Sequence, residues 1–204
     1  MKKFLIPLGF FLGLVIFLAV GLISVLLFAS PTIGLLVKPP SGEQFSEFYL
    51  LGPHHMLENY PYNIGVGQNY SMYVGVVNNL GSTAYYTVYL KFRNQTDPLP
   101  NAAYGTPSAL EPIYEYQFCL SNGERWEVPL MFSVWEASTN SNKSTVNQLL
   151  INGLVFNVNK SAAWDANNSG FPYGLVYELW VYNTTISAVQ FHNRYVSLRL
   201  NLAE

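Results

Sequence analysis

The chain of 204 residues holds one cysteine, Cys119, so no internal disulfide can staple its fold. Flanked by Phe118 and Leu120 in a strand-like pattern, that thiol is expected to be buried and inert. Charge is also scarce: Asp, Glu, Lys and Arg make up 11% of the residues, and the net charge is −2. Lys2 and Lys3 account for two of the ten basic residues, which leaves eight against twelve acidic ones in the rest of the chain. No cluster of Lys and Arg exists there, which excludes the basic surface that nucleic acid needs.

Catalytic signatures are missing as well. There is no Gly-x-Ser-x-Gly elbow and no phosphate-cradling glycine loop. His54 and His55 are adjacent and would point to opposite sides of a strand, and a turn after Gly52-Pro53 accounts for them. Copper ligation is excluded by spacing, since no histidine follows Cys119 until His192. The pairs Glu111/Glu115 and Glu124/Glu127 sit beside turn signals, where solvated charge explains them. The residues therefore assign no catalytic group, no cofactor and no metal site. An enzymatic reading would require polar side chains converging in a pocket around His54, His55 or Glu58.

What the chain does have is one long apolar run. Phe4 to Val37 carries no charge and follows Met1-Lys2-Lys3. A hydrocarbon core of about 30 Å needs about 20 apolar helical residues, so a transmembrane helix is expected over 4–30. The positive-inside bias places residues 1–3 in the cytoplasm and the C-terminal part outside. The run is too long for a cleaved signal, and the small-residue site at Ala19-Val20-Gly21 lies inside it, so the anchor is expected to be retained. Gly9, Gly13 and Gly21 fall on one ridge of the helix, a candidate contact face for another membrane helix.

Residues 31–45 contain Pro39-Pro40 and Ser41-Gly42 and read as a short stalk. From 46 to 204 the pattern is that of strands. In Tyr86, Val88, Leu90 and Phe92 the apolar set faces one way, with Tyr85, Thr87, Lys91 and Arg93 opposite. Val196, Leu198, Leu200 and Leu202 repeat the alternation. Further strands are expected near 46–51, 71–78, 112–120, 126–136, 149–157 and 174–182, with a tight turn at Asn152-Gly153. Residues 138–147 and 157–170, rich in Ser, Thr, Asn and Lys, are expected to be long exposed loops. Seven to nine strands without an amphipathic helix predict an immunoglobulin-like antiparallel β-sandwich.

Six Asn-x-Ser/Thr sequons occur, at Asn69, Asn94, Asn142, Asn159, Asn167 and Asn183, where composition alone gives about two or three. With the C-terminal part outside, they are candidate glycosylation sites whose sugars would supply the hydration that the sparse charges do not. The aromatic load, 15 Tyr, 13 Phe and 4 Trp, suits both cross-strand packing and a contact surface.

Phe48-Tyr49-Leu50-Leu51-Gly52-Pro53, Glu58-Asn59-Tyr60-Pro61, Val66-Gly67 and Val74-Gly75-Val76-Val77-Asn78 form an opening that resembles an archaeal, membrane-anchored domain family of unknown function. Tyr86-Thr87-Val88, Tyr116 to Leu120 with Trp126-Glu127, and Tyr195 to Leu202 continue the similarity. The resemblance implies an extracytoplasmic, immunoglobulin-like domain with no assigned chemistry. Some members of that family carry several membrane spans before the domain, whereas this chain has one apolar run. The expectation from all of this is a non-catalytic accessory subunit that docks on a larger membrane-protein complex. The alternative is a cell-envelope glycoprotein touching surface-layer proteins or glycans.

Overall fold

The computed structural model describes residues 12–25 and 44–203, which belong to two separate units, 1–43 and 44–204. In the first, residues 12–25 form one uncharged helix. Ser24 Oγ donates to the Val20 carbonyl at 2.9 Å, which satisfies the hydroxyl within the helix itself. Among the described residues no helix is long and apolar enough to cross a membrane. The expected segment 4–30 extends past them at both ends, and Gly9 and most of the stalk lie outside them. A side chain added at Gly13 or Gly21 would meet nothing within 4 Å.

The second unit is all β. Its strands are β1 (Phe45–Leu51), β2 (Asn63–Ile64), β3 (Tyr70–Asn79), β4 (Ala84–Asn94), β5 (Tyr114–Leu120), β6 (Arg125–Asn140), β7 (Lys143–Ile151), β8 (Leu154–Ala163), β9 (Phe171–Asn183) and β10 (Ala188–Leu202). They form two five-stranded sheets, β1-β3-β6-β7-β8 and β2-β10-β9-β4-β5. All pairs are antiparallel except one, since β2 runs parallel to the end of β10 at Asn63↔Asn201 and Ile64↔Leu202. The chain thus passes from the first sheet to the second between β1 and β2.

Alternation builds the core between the sheets. Met72, Val74 and Val76 of β3 and Leu130, Phe132 and Val134 of β6 face Tyr86, Val88, Leu90 and Phe92 of β4 and Leu175, Tyr177 and Leu179 of β9, all buried. Tyr173 crosses this layer, its hydroxyl donating to the Ser144 carbonyl at 2.9 Å. A chain of hydrogen bonds also joins the sheets near the start of β1. Ser46 Oγ lies 2.7 Å from Tyr86 Oη and 3.0 Å from His192 Nε2, and Tyr86 Oη donates to Asn78 Oδ1 at 3.1 Å. His192 sits in an irregularity of β10 where the register shifts between Phe191 and Arg194.

Four expectations change. Residues 138–147 and 157–170 are not two long loops: β6 runs on to Asn140, a short turn leads into β7, and β8 occupies 154–163. The expected strand 149–157 is two strands, the adjoining ends of β7 and β8, and the tight turn expected at Asn152-Gly153 joins them with both residues at positive φ. Polar side chains hid these strands because their outer faces meet solvent. Cys119 is exposed, because Phe118 and Leu120 alternate inward and turn it out. Thr87 and Lys91, expected on an open face, are buried, and over Lys91 the segment 95–113 crosses the outer side of the second sheet as a strap. Beneath it Lys91 Nζ lies 2.9 Å from Glu178 Oε2 and donates to the Ser108 carbonyl at 2.8 Å, while Ser108 N donates to Glu178 Oε1 at 2.8 Å.

Candidate functional site

β1 is an edge strand of the first sheet, and β10 is covered on its outer edge only where β2 meets Asn201 and Leu202. In a strand the N–H and C=O of one residue point to the same edge, and neighbouring residues alternate. Asn201 N donates to the Tyr62 carbonyl, so residues 195, 197 and 199 also face that edge, where no strand pairs with them. On β1, the Leu50 carbonyl points outward to the Tyr60 hydroxyl, 2.7 Å away. Between the two edges opens a groove of about 570 Å³, floored by Phe48, Leu50, Val196 and Leu198 and roofed by Leu57 and Tyr60. Met56 and Leu57 of the roof are 56% and 75% exposed, a large apolar exposure for so short a segment.

The roof, residues 52–62, is held by side chains of the first sheet. Tyr49, Gly75 and Glu127 lie in one cross-strand row of β1, β3 and β6. The Tyr49 ring lies flat on Gly75, where a Cβ would come within 2.3 Å of the ring, and its hydroxyl donates to Glu127 Oε2 at 2.9 Å. Glu127 Oε1 meets His55 Nδ1 at 2.8 Å, and the His55 ring stacks on Tyr73 with centroids 3.7 Å apart. Burial would raise the Glu127 carboxyl, but the hydrogen bonds of His55 and Tyr49 outweigh it and hold its pKa below the ordinary value. Burial, with the bond to Glu127, pushes the Tyr49 phenol up to about 12.

Of the residues proposed for an enzymatic pocket, the fold therefore brings in only His55. His54 and Glu58 are exposed and join no cluster, and His192 bonds to Ser46 elsewhere. Glu127, read from sequence as solvated charge beside a turn, is the hub of this row. The signal for it lay in Gly75, which leaves room for a ring to cross the sheet. Among the described residues no three metal-ligating side chains come together.

A second, polar cleft of about 300 Å³ adjoins the groove and shares Tyr62 and Arg199 with it. Here too a glycine separates two long side chains: Arg93 of β4, Gly174 of β9 and Arg199 of β10 form one row on the outer face. Arg93 donates through Nε to the Asp97 carbonyl at 3.0 Å. The Asp97 carboxylate turns instead to Lys160 Nζ, 2.8 Å away. Among the described residues neither arginine has a carboxylate partner within salt-bridge distance.

The sequons are unevenly placed. Asn69, Asn142, Asn159 and Asn167 are exposed, at or toward the end of the sandwich remote from Phe45, where the β6–β7 and β8–β9 connections lie. Asn183 is at the opposite end, half-buried, with Nδ2 donating to Gln190 at 3.2 Å. Asn94 is turned inward: Nδ2 donates to the Ser161 carbonyl at 2.7 Å, and Oδ1 accepts from Thr96 and Asp97. No sequon lines the groove.

Fold and site together define a two-sheet β domain with an apolar groove at its open edge. Its family carries no assigned chemistry. The chain belongs to the family described as a domain of unknown function, DUF1616, whose model matches residues 39–166, a span that takes in β1 to β8 and reaches into the turn before β9. No curated protein matches it. Among solved structures, it is similar to a chain of the human seminal-plasma complex of zinc 2-glycoprotein and prolactin inducible protein, at 11% identity over 80% of this chain and 98% of that one, with a TM-score of 0.37. The PapD-like domain 7 of human CEP192 gives 9% identity over 82% and 93%, with a TM-score of 0.37. A β-glucosidase from Listeria innocua gives 14% over 79% of this chain and a TM-score of 0.30, and the chain spans only 17% of its length.

Proposed function

We propose that the chain is a non-catalytic single-pass membrane protein, N-terminus cytoplasmic, whose outer domain binds a larger membrane-protein complex as an accessory subunit. The observation that carries this reading is the sequon-free groove between β1 and β10, with Leu57 exposed on its roof and Met56 exposed next to it in the chain. The anchor at 4–30 rests on the length of its uncharged run and on Lys2 and Lys3. The immunoglobulin-like assignment rests on topology: a first strand that leaves one sheet and resumes in the other, parallel to the last strand, within two packed sheets. The archaeal setting rests on the opening motif alone.

A second reading, a cell-envelope glycoprotein in contact with surface-layer proteins or glycans, draws on the four exposed sequons toward the far end. A photoreactive residue placed at Leu57 in native membranes separates the two, with Gln117 on β5 as the control position. A stoichiometric adduct with one membrane protein from Leu57, and none from Gln117, is the expected result. Adducts confined to surface-layer proteins, or none from either position, would replace the first reading with the second.

A further inference from the structure

The accessory-subunit reading leaves open what enters the groove, and three features of its floor and rim describe the occupant. The main chain of residues 195, 197 and 199 presents N–H and C=O groups along an edge that no strand covers, continuing the line of β2. Unpaired edge groups of this kind are satisfied by an added strand. The groove beside them is apolar, so every second side chain of such a strand would enter it and should be apolar too.

The third feature is charge. The groove ends at Arg199, which with Arg93 flanks Gly174, the two Cα atoms about 10 Å apart across three strands. Gly174 has no side chain to fill the space, and a Cβ there would press on the Leu198 carbonyl at 3.0 Å and on Arg93. Arg93 is held in place by the Asp97 carbonyl, which fixes its guanidinium before any ligand arrives. The Asn94 amide lining the cleft is turned to Ser161 and does not compete. Two arginines that line one cleft, neither with a carboxylate at salt-bridge distance and the nearby Asp97 carboxylate engaged by Lys160, match a planar oxyanion.

We propose that Arg93 and Arg199, on either side of Gly174, bind the carboxylate of an extended, largely apolar partner segment laid along the open edge of β10. This rests on the accessory-subunit reading and narrows it to a chemistry. The test uses the full chain in mild detergent. Binding is followed for a short synthetic peptide of alternating valine and threonine that ends in glutamate with its C-terminus amidated, so that the side chain carries its one carboxylate, for its likewise amidated glutamine counterpart, and for glucuronate and sulfate. The glutamate peptide should bind tightest, and Arg199→Gln should weaken it by about 10- to 100-fold, as for loss of charged hydrogen bonds. The glutamine peptide should bind about as weakly to the native chain as the glutamate peptide does to Arg199→Gln. Arg93→Gln, at the second cation, should give a loss in the same direction.

Equal binding of the two peptides, or no binding by either, would overturn the carboxylate assignment. Tighter binding of glucuronate or sulfate would overturn the peptide occupant in favour of an acidic sugar or a free oxyanion. None of these results touches the Leu57 crosslink, so failure here and failure of the accessory-subunit reading are told apart.

Discussion

Lys91 and Glu178 show how much a single side chain can commit to this fold. Both are essentially out of water, and the strap crosses them so that Ser108 bonds to each. Trp180 Nε1 adds a further donor to Glu178 at 3.1 Å. Buried ion pairs give little net stability, but removing one partner strands the other charge and typically costs about 3–5 kcal/mol. Lys91→Met is therefore expected to lower unfolding stability in urea by about that amount, whereas Lys160→Met, at the pair with Asp97 whose side chains keep 22% and 21% of their exposure, should cost clearly less. Similar losses for the two variants would show that the strap does not seal the first pair. Gly75 makes a different demand. Any Cβ there collides with the Tyr49 ring, so Gly75→Ala must swing the ring off Glu127 and free the roof. A loss of about 1–3 kcal/mol is expected, as for other overpacked sites. His55 should meanwhile lose its contact with Glu127, which the chemical shifts of its ring protons, now stacked on Tyr73, would register.

At the scale of elements, strands with a regular apolar face directed at the core were readable, and stretches of strand with the composition of a loop were not. β1, β3, β4 and β5 lie within a few residues of the expected spans, because alternation in Tyr86, Val88, Leu90 and Phe92 and its counterparts reports a face directed at a core. The far ends of β7 and β8, beyond the expected 149–157, escaped because Lys143-Ser144-Thr145 and Asn157 to Ser161 spell a loop in composition while pairing in register. Tertiary context overrode propensity there. The strap was illegible for the opposite reason, since nothing local announces that residues 95–113 will cover Lys91 and Glu178. Both glycine rows were equally hidden, because a cross-strand row is a property of register and not of one segment.

Register also creates the chain from His192 through Ser46 and Tyr86 to Asn78, which ties β10, β1, β4 and β3 together. Burial, with Arg194 nearby, holds the His192 pKa below its ordinary 6.5. The sign follows: the unfolded chain takes up its proton first as pH falls, so stability is intact above about 6.5 and declines as pH drops toward the lower folded value. The melting temperature should fall between about pH 7.5 and 5.5, and His192→Gln should flatten that decline while keeping a partner for Ser46. Glu127 and Asp97 titrate in a separate window. Their pKa values are lowered from 4.5 and 3.8, so what they contribute is lost only on more acidic titration. A slope unchanged in His192→Gln would assign the decline to other groups.

For the whole molecule the placement of the sequons joins fold to setting. The β domain begins at Gln44 and Phe45, at the end that also carries the β3–β4, β5–β6 and β9–β10 turns. Four exposed sequons gather at or toward the other end, so glycans there would stand away from the point where the chain enters the domain and would leave the β1–β10 side bare. One of them, Asn159, lies in the outermost strand of its sheet, where a sugar would block edge pairing that β8 otherwise invites. Asn94 shares the sequence motif but not the chemistry. Glycan transfer needs a free amide nitrogen, and this one is committed to Ser161 while its oxygen organises the turn that carries Asp97. Glycopeptide mass spectrometry of the protein from its native membranes should find Asn69, Asn142, Asn159 and Asn167 modified and Asn94 bare. Asn94→Ala should destabilise the fold by about 1–3 kcal/mol instead of merely deleting a sugar, because the Ser161 carbonyl and the turn both lose their partner. A glycan found on Asn94 would mean that this side chain turns outward when the sugar is attached, and the β4–β8 contact it makes would then have to form without it.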